Sequence, residues 1–195
     1  MNRQYPRLVI RRDKLRSNFT QVITRCAREG ISVAGVIKGI DGLEDVARLY
    51  KECGAAQLAS SRLEQLERWR QAGIPGPYLL LRVPGPSELG DLVRLADYSL
   101  QSEVAVLRLL ETECARQGKE HRAIIMADLG DLREGYWDHE EMVQTCLYVE
   151  RRLPHVHLSG VGVNLSCYGS VRATPEKMQM LLAIARRVEK GTEIP

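Results

Sequence analysis

The chain has 195 residues, 44% of them hydrophobic, which is enough to bury the core of a single domain. Its 28 basic and 25 acidic residues are interspersed and leave a net charge of +3, which argues against a nucleic-acid surface, where cations cluster on one face. No apolar run approaches the roughly 20 residues of a membrane span, and the polar N-terminal stretch does not resemble a signal peptide, so we expect a cytoplasmic protein without a membrane partner.

The cysteines and histidines give no pattern typical of a metal site. The five cysteines are odd in number and widely spaced, and no two form a C-x-x-C pair. The four histidines fall in predicted helix starts, turns and strand beginnings. We therefore expect neither a disulfide framework nor a bound metal.

Short apolar strands alternate with amphipathic helices along the chain. The strands are predicted at residues 7–10, 33–38, 56–60, 78–83, 97–100, 122–128 and 157–163. The helices are predicted to begin near residues 13, 43, 61, 87, 103, 138 and 175. Three of these helix starts carry a capping signal, at Ser61, Asp138 and Thr174.

This alternation predicts an α/β fold with parallel strands and helices packed outside them. Six strand–helix units can be counted from residue 33, and no composition shift marks a linker, so residues 1–195 are expected to form one domain. A doubly wound sheet and a (β/α)8 TIM-type barrel both fit the periodicity. No G-x-G-x-x-G motif follows a predicted strand, which argues against a doubly wound sheet that binds a dinucleotide.

In either architecture, functional residues gather where the strands end. Lys38 follows an uncharged run, 33–37, and the nearby Gly39 and Gly42 would let the backbone approach a ligand. A lysine at the mouth of an apolar pocket loses hydration, which favours the free amine that attacks carbonyls. From position alone, a lysine that simply marks the exit of a strand into solvent remains the alternative.

Two later strand ends also carry polar groups. Arg133 lies in "DLGDLREG", residues 128–135, where it would either present a fixed cation to an oxygen-bearing ligand or pair with Asp131 or Glu134. Residues 164–169, "NLSCYG", offer an amide, a hydroxyl, a thiol and a phenol. Within them, Cys167 is either an acid/base group or a packed thiol.

The order of these segments resembles the alanine racemase family. The strand-end lysine at residue 38, the "D-x-G-x-x-R-x-G" loop at 128–135 and "GVNLSCYG" at 162–169 carry the resemblance. The opening "YPRLVIRRDKLRSN" and the "LLLRVP" run at 79–84 bring it nearest the ornithine racemase branch. The resemblance implies a (β/α)8 barrel, pyridoxal phosphate as cofactor, and an amino acid, such as ornithine or another basic one, as substrate.

The resemblance also implies roles for residues. Lys38 would form the Schiff base with the cofactor and move the substrate's α-proton on one face, and Arg133 would contact the cofactor's phenolic oxygen. Asn164 stands where alanine racemases carry a histidine near the cofactor ring. Cys167 and Tyr168 are candidates for an acid/base group or a substrate contact.

The sequence departs from the family because it lacks the segments that supply the phosphate-binding loops and the second acid/base group. Glycine- and serine-rich phosphate loops follow strands seven and eight in the family, and a tyrosine from the partner's C-terminal domain supplies the second acid/base. Only six units are counted here, and Gly42 replaces a phosphate-binding tyrosine. We therefore expect an incomplete barrel, truncated before strands seven and eight and inactive alone. Its open strand edges should be covered in a homo-oligomer; the alternative is a chain of poor stability. A non-catalytic carrier of pyridoxal phosphate with the same barrel is the alternative.

Overall fold

The computed structural model describes residues 8–165 and 171–192, which form six strands alternating with helices. The strands are β1 (Ala34–Val36), β2 (Gln57–Ser60), β3 (Tyr78–Leu80), β4 (Tyr98–Gln101), β5 (His121–Ala127) and β6 (Val156–Val163). The α-helices are α1 (Arg12–Arg28), α2 (Glu44–Glu52), α3 (Leu63–Gln71), α4 (Leu89–Leu95), α5 (Val104–Gln117), α6 (His139–Arg152) and α7 (Pro175–Thr192). Within the described residues, no helix is both long and apolar enough to cross a membrane.

The six strands form one parallel sheet in the order β1-β2-β3-β4-β5-β6. Each strand therefore lies beside the next one in sequence, as in a barrel wall, whereas a doubly wound sheet reverses its strand order at a switch point. This order removes the doubly wound alternative and confirms the α/β class. Among the described residues β1 and β6 each pair with a single strand, so the barrel wall is open.

The two faces of the sheet bury different cores. The helices cover one face with a large cluster that includes Leu58, Trp69, Leu80, Leu107 and Ile125. The other, inner face carries a small cluster of four buried residues, Ala59, Leu79, Leu100 and Met126. Side chains alternate between the faces along a strand, so β2, β3 and β5 each contribute to both clusters.

β1 is held close to the helix layer by a glycine. A Cβ on Gly35 would lie 2.6 Å from Cδ2 of Tyr50, so only glycine lets α2 approach this strand. Tyr50 in turn stacks on Phe19 of α1, with ring centroids 3.8 Å apart. α1 is thereby packed on α2 beside the first strand.

Several predictions of local structure are corrected, and among them the strand predicted at 78–83 ends at Leu80. Residues 8–10 form no strand, because they have no ladder partner among the described residues and the side chains of Leu8 and Val9 are exposed. The strand predicted at 33–38 ends at Val36, because Ile37 leaves the extended region (φ −120°, ψ 6°). Ser61 does not cap α3; its N-cap is Arg62, which has no capping side-chain bond.

The other two capping signals are confirmed. The carboxylate of Asp138 accepts hydrogen bonds from the backbone N–H groups of Glu140 and Glu141, at 2.8 and 3.2 Å. Thr174 Oγ1 lies 3.4 Å from the backbone nitrogen of Lys177, in the first turn of α7. Both helices therefore begin where the sequence predicts.

Candidate active site at the carboxyl edge of the sheet

Lys38 lies just after β1, at the start of a short 3-10 turn, Lys38–Ile40. The preceding Ile37 is buried, and its N–H continues the sheet by donating to the carbonyl of Ala59 at 3.1 Å. The side chain of Lys38 is exposed and makes no hydrogen bond or ion pair with any described residue. Its amine is therefore held near the carboxyl edge of the sheet and is open to a ligand.

The turn after Lys38 is braced by α3. Trp69 Nε1 donates to the carbonyl of Gly42 at 2.7 Å, and Gln65 Nε2 donates to Oδ1 of Asp41 at 3.0 Å. Hydrogen bonds from Gln65 and Arg68 hold the pKa of the Asp41 carboxyl below its usual value. These bonds fix the backbone on which Lys38 sits.

The two glycines near Lys38, Gly39 and Gly42, differ in whether the described structure requires a glycine at that position. Gly42 has φ +65°, and a Cβ there would lie 2.9 Å from the side chain of Gln65. Packing and backbone conformation therefore require this glycine without any ligand. A Cβ on Gly39 would meet nothing within 4 Å, so the described structure leaves the approach to Lys38 open on that side.

Lys51 shows what a structural lysine looks like in the same fold. Its Nζ donates to the carbonyls of Ala55 and Gly76, both at 3.0 Å, and lies 3.4 Å from that of Ala56. These carbonyls precede β2 and β3, at the amino edge of the sheet. Lys51 is thus used to tie loops together, whereas the ammonium of Lys38 is not.

The Arg133 loop, residues 128–135, is closed by hydrogen bonds of its own backbone. The carboxylate of Asp128 accepts from the N–H groups of Gly130 and Leu132, at 2.7 and 3.2 Å. Tyr136 then returns to the sheet, where its N–H donates to Met126 at 2.8 Å. Gly135 makes this return possible, because a Cβ there would lie 2.6 Å from the carbonyl carbon of Ala127.

Arg133 lies between two carboxylates. Its Nη2 is 2.9 Å from Oε1 of Glu134, and its Nε is 3.9 Å from Oδ2 of Asp131. The Asp131 and Glu134 side chains are 2% and 12% exposed, against 39% for Arg133. The acid pairing left open by the sequence is therefore present, and the guanidinium is anchored in a fixed orientation with part of it still facing solvent.

Asn164 joins the same cluster from the end of β6. Its Nδ2 donates to Oε1 of Glu134 at 2.9 Å, the oxygen that also contacts Arg133. Glu134 is therefore a site residue that the sequence indicated only as a pairing partner of Arg133. Lys38 has no hydrogen bond or ion pair to this cluster, and Cys167 and Tyr168 lie outside the described residues.

Arg82, at the end of β3, is used structurally. It forms a two-pronged ion pair with Glu88, with Nη1–Oε2 at 2.7 Å and Nη2–Oε1 at 2.5 Å. This pairing lowers the pKa of the Glu88 carboxyl and fixes the loop leading into α4. No group of three or more metal-ligating side chains occurs in residues 8–165 and 171–192.

Comparison with known proteins defines the class. Residues 10–195 match the family model for the alanine racemase N-terminal domain. The chain therefore belongs to the alanine racemase family, whose cofactor is pyridoxal phosphate. Its Lys38 amine, exposed at the carboxyl edge, suits the cofactor's aldehyde, and the Arg133 cluster supplies polar groups at the same edge.

Curated proteins similar to this chain include a lysine racemase and an ornithine racemase. Lysine racemase of Thermotoga maritima is 35% identical over 188 residues, which is 96% of this chain and 51% of that protein. Ornithine racemase of Acetoanaerobium sticklandii is 33% identical over 193 residues, 98% of this chain and 54% of that protein. The expected likeness to ornithine racemase is thus confirmed, and the chain spans about half the length of either relative.

The solved structures confirm the fold. Alanine racemase of Clostridium difficile 630 superposes with a TM-score of 0.77 at 21% identity, over 93% of this chain and 50% of that one. PipY of Synechococcus elongatus, solved with PLP bound, superposes with a TM-score of 0.72 at 13% identity, over 90% of this chain and 84% of that one. At these identities the likeness is one of fold: the open six-stranded wall matches part of a barrel.

Proposed function

We propose that this chain is the part of a pyridoxal-phosphate-dependent amino-acid racemase that carries the cofactor lysine, Lys38. The observation that supports this most directly is the amine of Lys38. In a chain of the alanine racemase family, it lies exposed at the carboxyl edge of the sheet with no partner among the described residues.

The residues of this chain would divide the work. Pyridoxal phosphate, when bound, takes up the electron pair left when an amino acid loses its α-proton. Lys38 would hold the cofactor and, through Nζ, take and return a proton on one face. Arg133, fixed by Glu134, would orient the cofactor, and Asn164 would act through Glu134.

We propose a basic amino acid as substrate, in keeping with the lysine and ornithine racemases that the chain resembles. Because the chain spans about half of each relative, we expect it to lack racemase activity by itself. The single barrel domain over residues 1–195, the homo-oligomer and the cytoplasm as compartment stay predictions.

A second candidate is a carrier of the cofactor without turnover. One observation favours it: this chain covers 84% of PipY but only about half of the racemases. A carrier would bind pyridoxal phosphate at Lys38 yet leave the α-proton of an added amino acid in place.

Two measurements test these functions. The visible absorption of pyridoxal phosphate should change on titration with the wild-type chain and with Lys14→Ala, whose lysine lies on α1. It should not change with Lys38→Ala. An absorption change with Lys38→Ala as large as that with the wild type would overturn the role of Lys38. Racemisation of lysine or ornithine should then appear when the chain is extended to the length of the relatives. Cofactor binding by that longer protein without α-proton exchange in deuterated water would favour the carrier instead.

A further inference from the structure

Lys177 occupies an unusual position in α7. It is the third residue after the cap Thr174, where a positive charge faces the positive end of the helix dipole. A capping box places glutamate or glutamine at this position. The stability of α7 therefore gives no reason for a lysine here.

The ammonium of Lys177 contacts the start of the Arg133 loop. Its Nζ donates to the carbonyl of Leu129, 48 residues earlier in the chain. It also lies over the next residue, because a Cβ on Gly130 would be only 3.3 Å from it. Gly130 has φ +115°, so α7 closes over a turn that only glycine forms easily.

The loop that Lys177 contacts holds a strained residue. Leu132 has φ +54° and is 75% exposed, so its left-handed backbone is not offset by burial of its side chain. Such a conformation persists only when its surroundings fix it. The contacts that hold the loop include those of Asp128 at its start, of Asn164 with Glu134 at its end, and of Lys177 from outside the loop.

We propose that Lys177 is a positioning residue, which fixes the backbone of residues 129–132 and so sets the place of the Arg133 guanidinium at the candidate site. Without the ammonium, the Leu129 carbonyl loses its tether, Leu132 relaxes from its left-handed conformation, and Arg133 moves with it. The catalytic part of this inference rests on the proposed function, whereas the tether itself does not.

The tether is tested in the cofactor-free chain by amide hydrogen exchange. In Lys177→Met, exchange at Gly130 and Leu132, whose N–H groups bond to Asp128, should rise roughly tenfold, because a local brace is lost. Lys177→Arg keeps a donor and should restore protection. Lys190→Met, near the other end of α7, is the matched control.

Amides in the middle of α7 and the melting temperature report whether the fold is intact. Unchanged exchange at Gly130 and Leu132 in Lys177→Met, with α7 intact, would overturn the proposal. If Lys177→Arg raises exchange at Gly130 and Leu132 as much as Lys177→Met does, the role of the positively charged donor is overturned. If Lys177→Met does not fold, Lys177→Gln, which keeps a shorter donor, should give an intermediate rise, and no rise would overturn the tether.

The link to Arg133 is tested by a double-mutant cycle on affinity for pyridoxal phosphate. Lys177→Met and Arg133→Met should each weaken binding, and the double variant should bind no more weakly than Arg133→Met, because both changes act through one guanidinium. Additive losses would overturn the link. If the wild-type chain does not bind pyridoxal phosphate, the proposed function and the link to Arg133 are both refuted. The contact between Lys177 and Leu129 is then decided by hydrogen exchange alone.

Discussion

At the scale of single residues, the site depends on how each charged group is held. The Lys38 ammonium has no partner among the described residues, while that of Lys51 has three carbonyls around it and the Arg133 guanidinium has two carboxylates. An unpartnered amine can react, whereas a tethered one serves the fold. The difference lies in position, since Lys38 follows a strand and Lys51 lies in the last turn of α2.

The glycines beside Lys38 give a prediction at this scale. Gly42→Ala forces a Cβ against Gln65 at 2.9 Å and an alanine into φ +65°, so the free energy of unfolding should fall by about 2 kcal/mol. Gly39→Ala meets no atom within 4 Å and should change stability by less than about 0.5 kcal/mol. Urea unfolding of both variants measures this, and equal losses would show that the packing argument for Gly42 is wrong.

At the scale of elements, neighbouring strands are joined by a buried polar contact. His121 Nε2 of β5 lies 2.8 Å from Ser99 Oγ of β4, and Gln101 Nε2 donates to that same oxygen at 2.9 Å. Burial lowers the pKa of His121 to about 4, because the charged imidazolium would lose its hydration. The folded chain therefore keeps this histidine neutral.

Stability should consequently depend on pH through His121. Its pKa is about 4 in the folded chain against 6.5 as the ordinary value, so the stabilisation is complete above pH 6.5 and is lost as the pH falls towards 4. The loss amounts to about 3 kcal/mol, because the unfolded chain binds the proton more strongly.

Unfolding by urea at pH 7 and pH 4.5 measures this dependence. In His121→Gln, most of the difference in the free energy of unfolding between the two pH values should disappear. His157→Gln replaces a half-exposed histidine and should keep the difference. A profile of His121→Gln that parallels the wild type would contradict the assignment.

The element scale also shows what the sequence could predict. Local signals sufficed for the alternation of strands and helices from residue 33 onward and for the caps Asp138 and Thr174, because these depend on residues within one turn. The prediction that Ser61 caps α3 was wrong, because the strand β2 and the turn after it place Arg62 at the N-cap position. The Glu134–Asn164 and Lys177–Leu129 contacts could not be predicted, since they join residues 30 and 48 positions apart through the packing of β6 and α7 against the loop.

At the scale of the whole molecule, the sheet has two open edges among the described residues. β1 pairs only with β2 and β6 only with β5, so a row of backbone groups on each edge has no strand beside it. Such edges favour pairing with another chain. This arrangement supports the predicted homo-oligomer.

A charge on the edge strand should weaken that association. Val36 of β1 and Val22 of α1 are similarly exposed, at 45% and 48%, but only Val36 lies on an open edge. Light scattering should show an oligomer for the wild type and Val22→Lys, and a shift towards the monomer for Val36→Lys. A wild-type chain that is monomeric at all concentrations would contradict the prediction.

The central claim is that Lys38 is the lysine that holds the cofactor, and peptide mapping tests it most directly. The chain is incubated with pyridoxal phosphate, reduced with borohydride and digested, and the modified lysine is identified by mass spectrometry. We predict that the label lies on Lys38 and disappears in Lys38→Arg without moving to Lys14 or Lys190. Label spread evenly over the lysines, or absent from Lys38, would contradict the account.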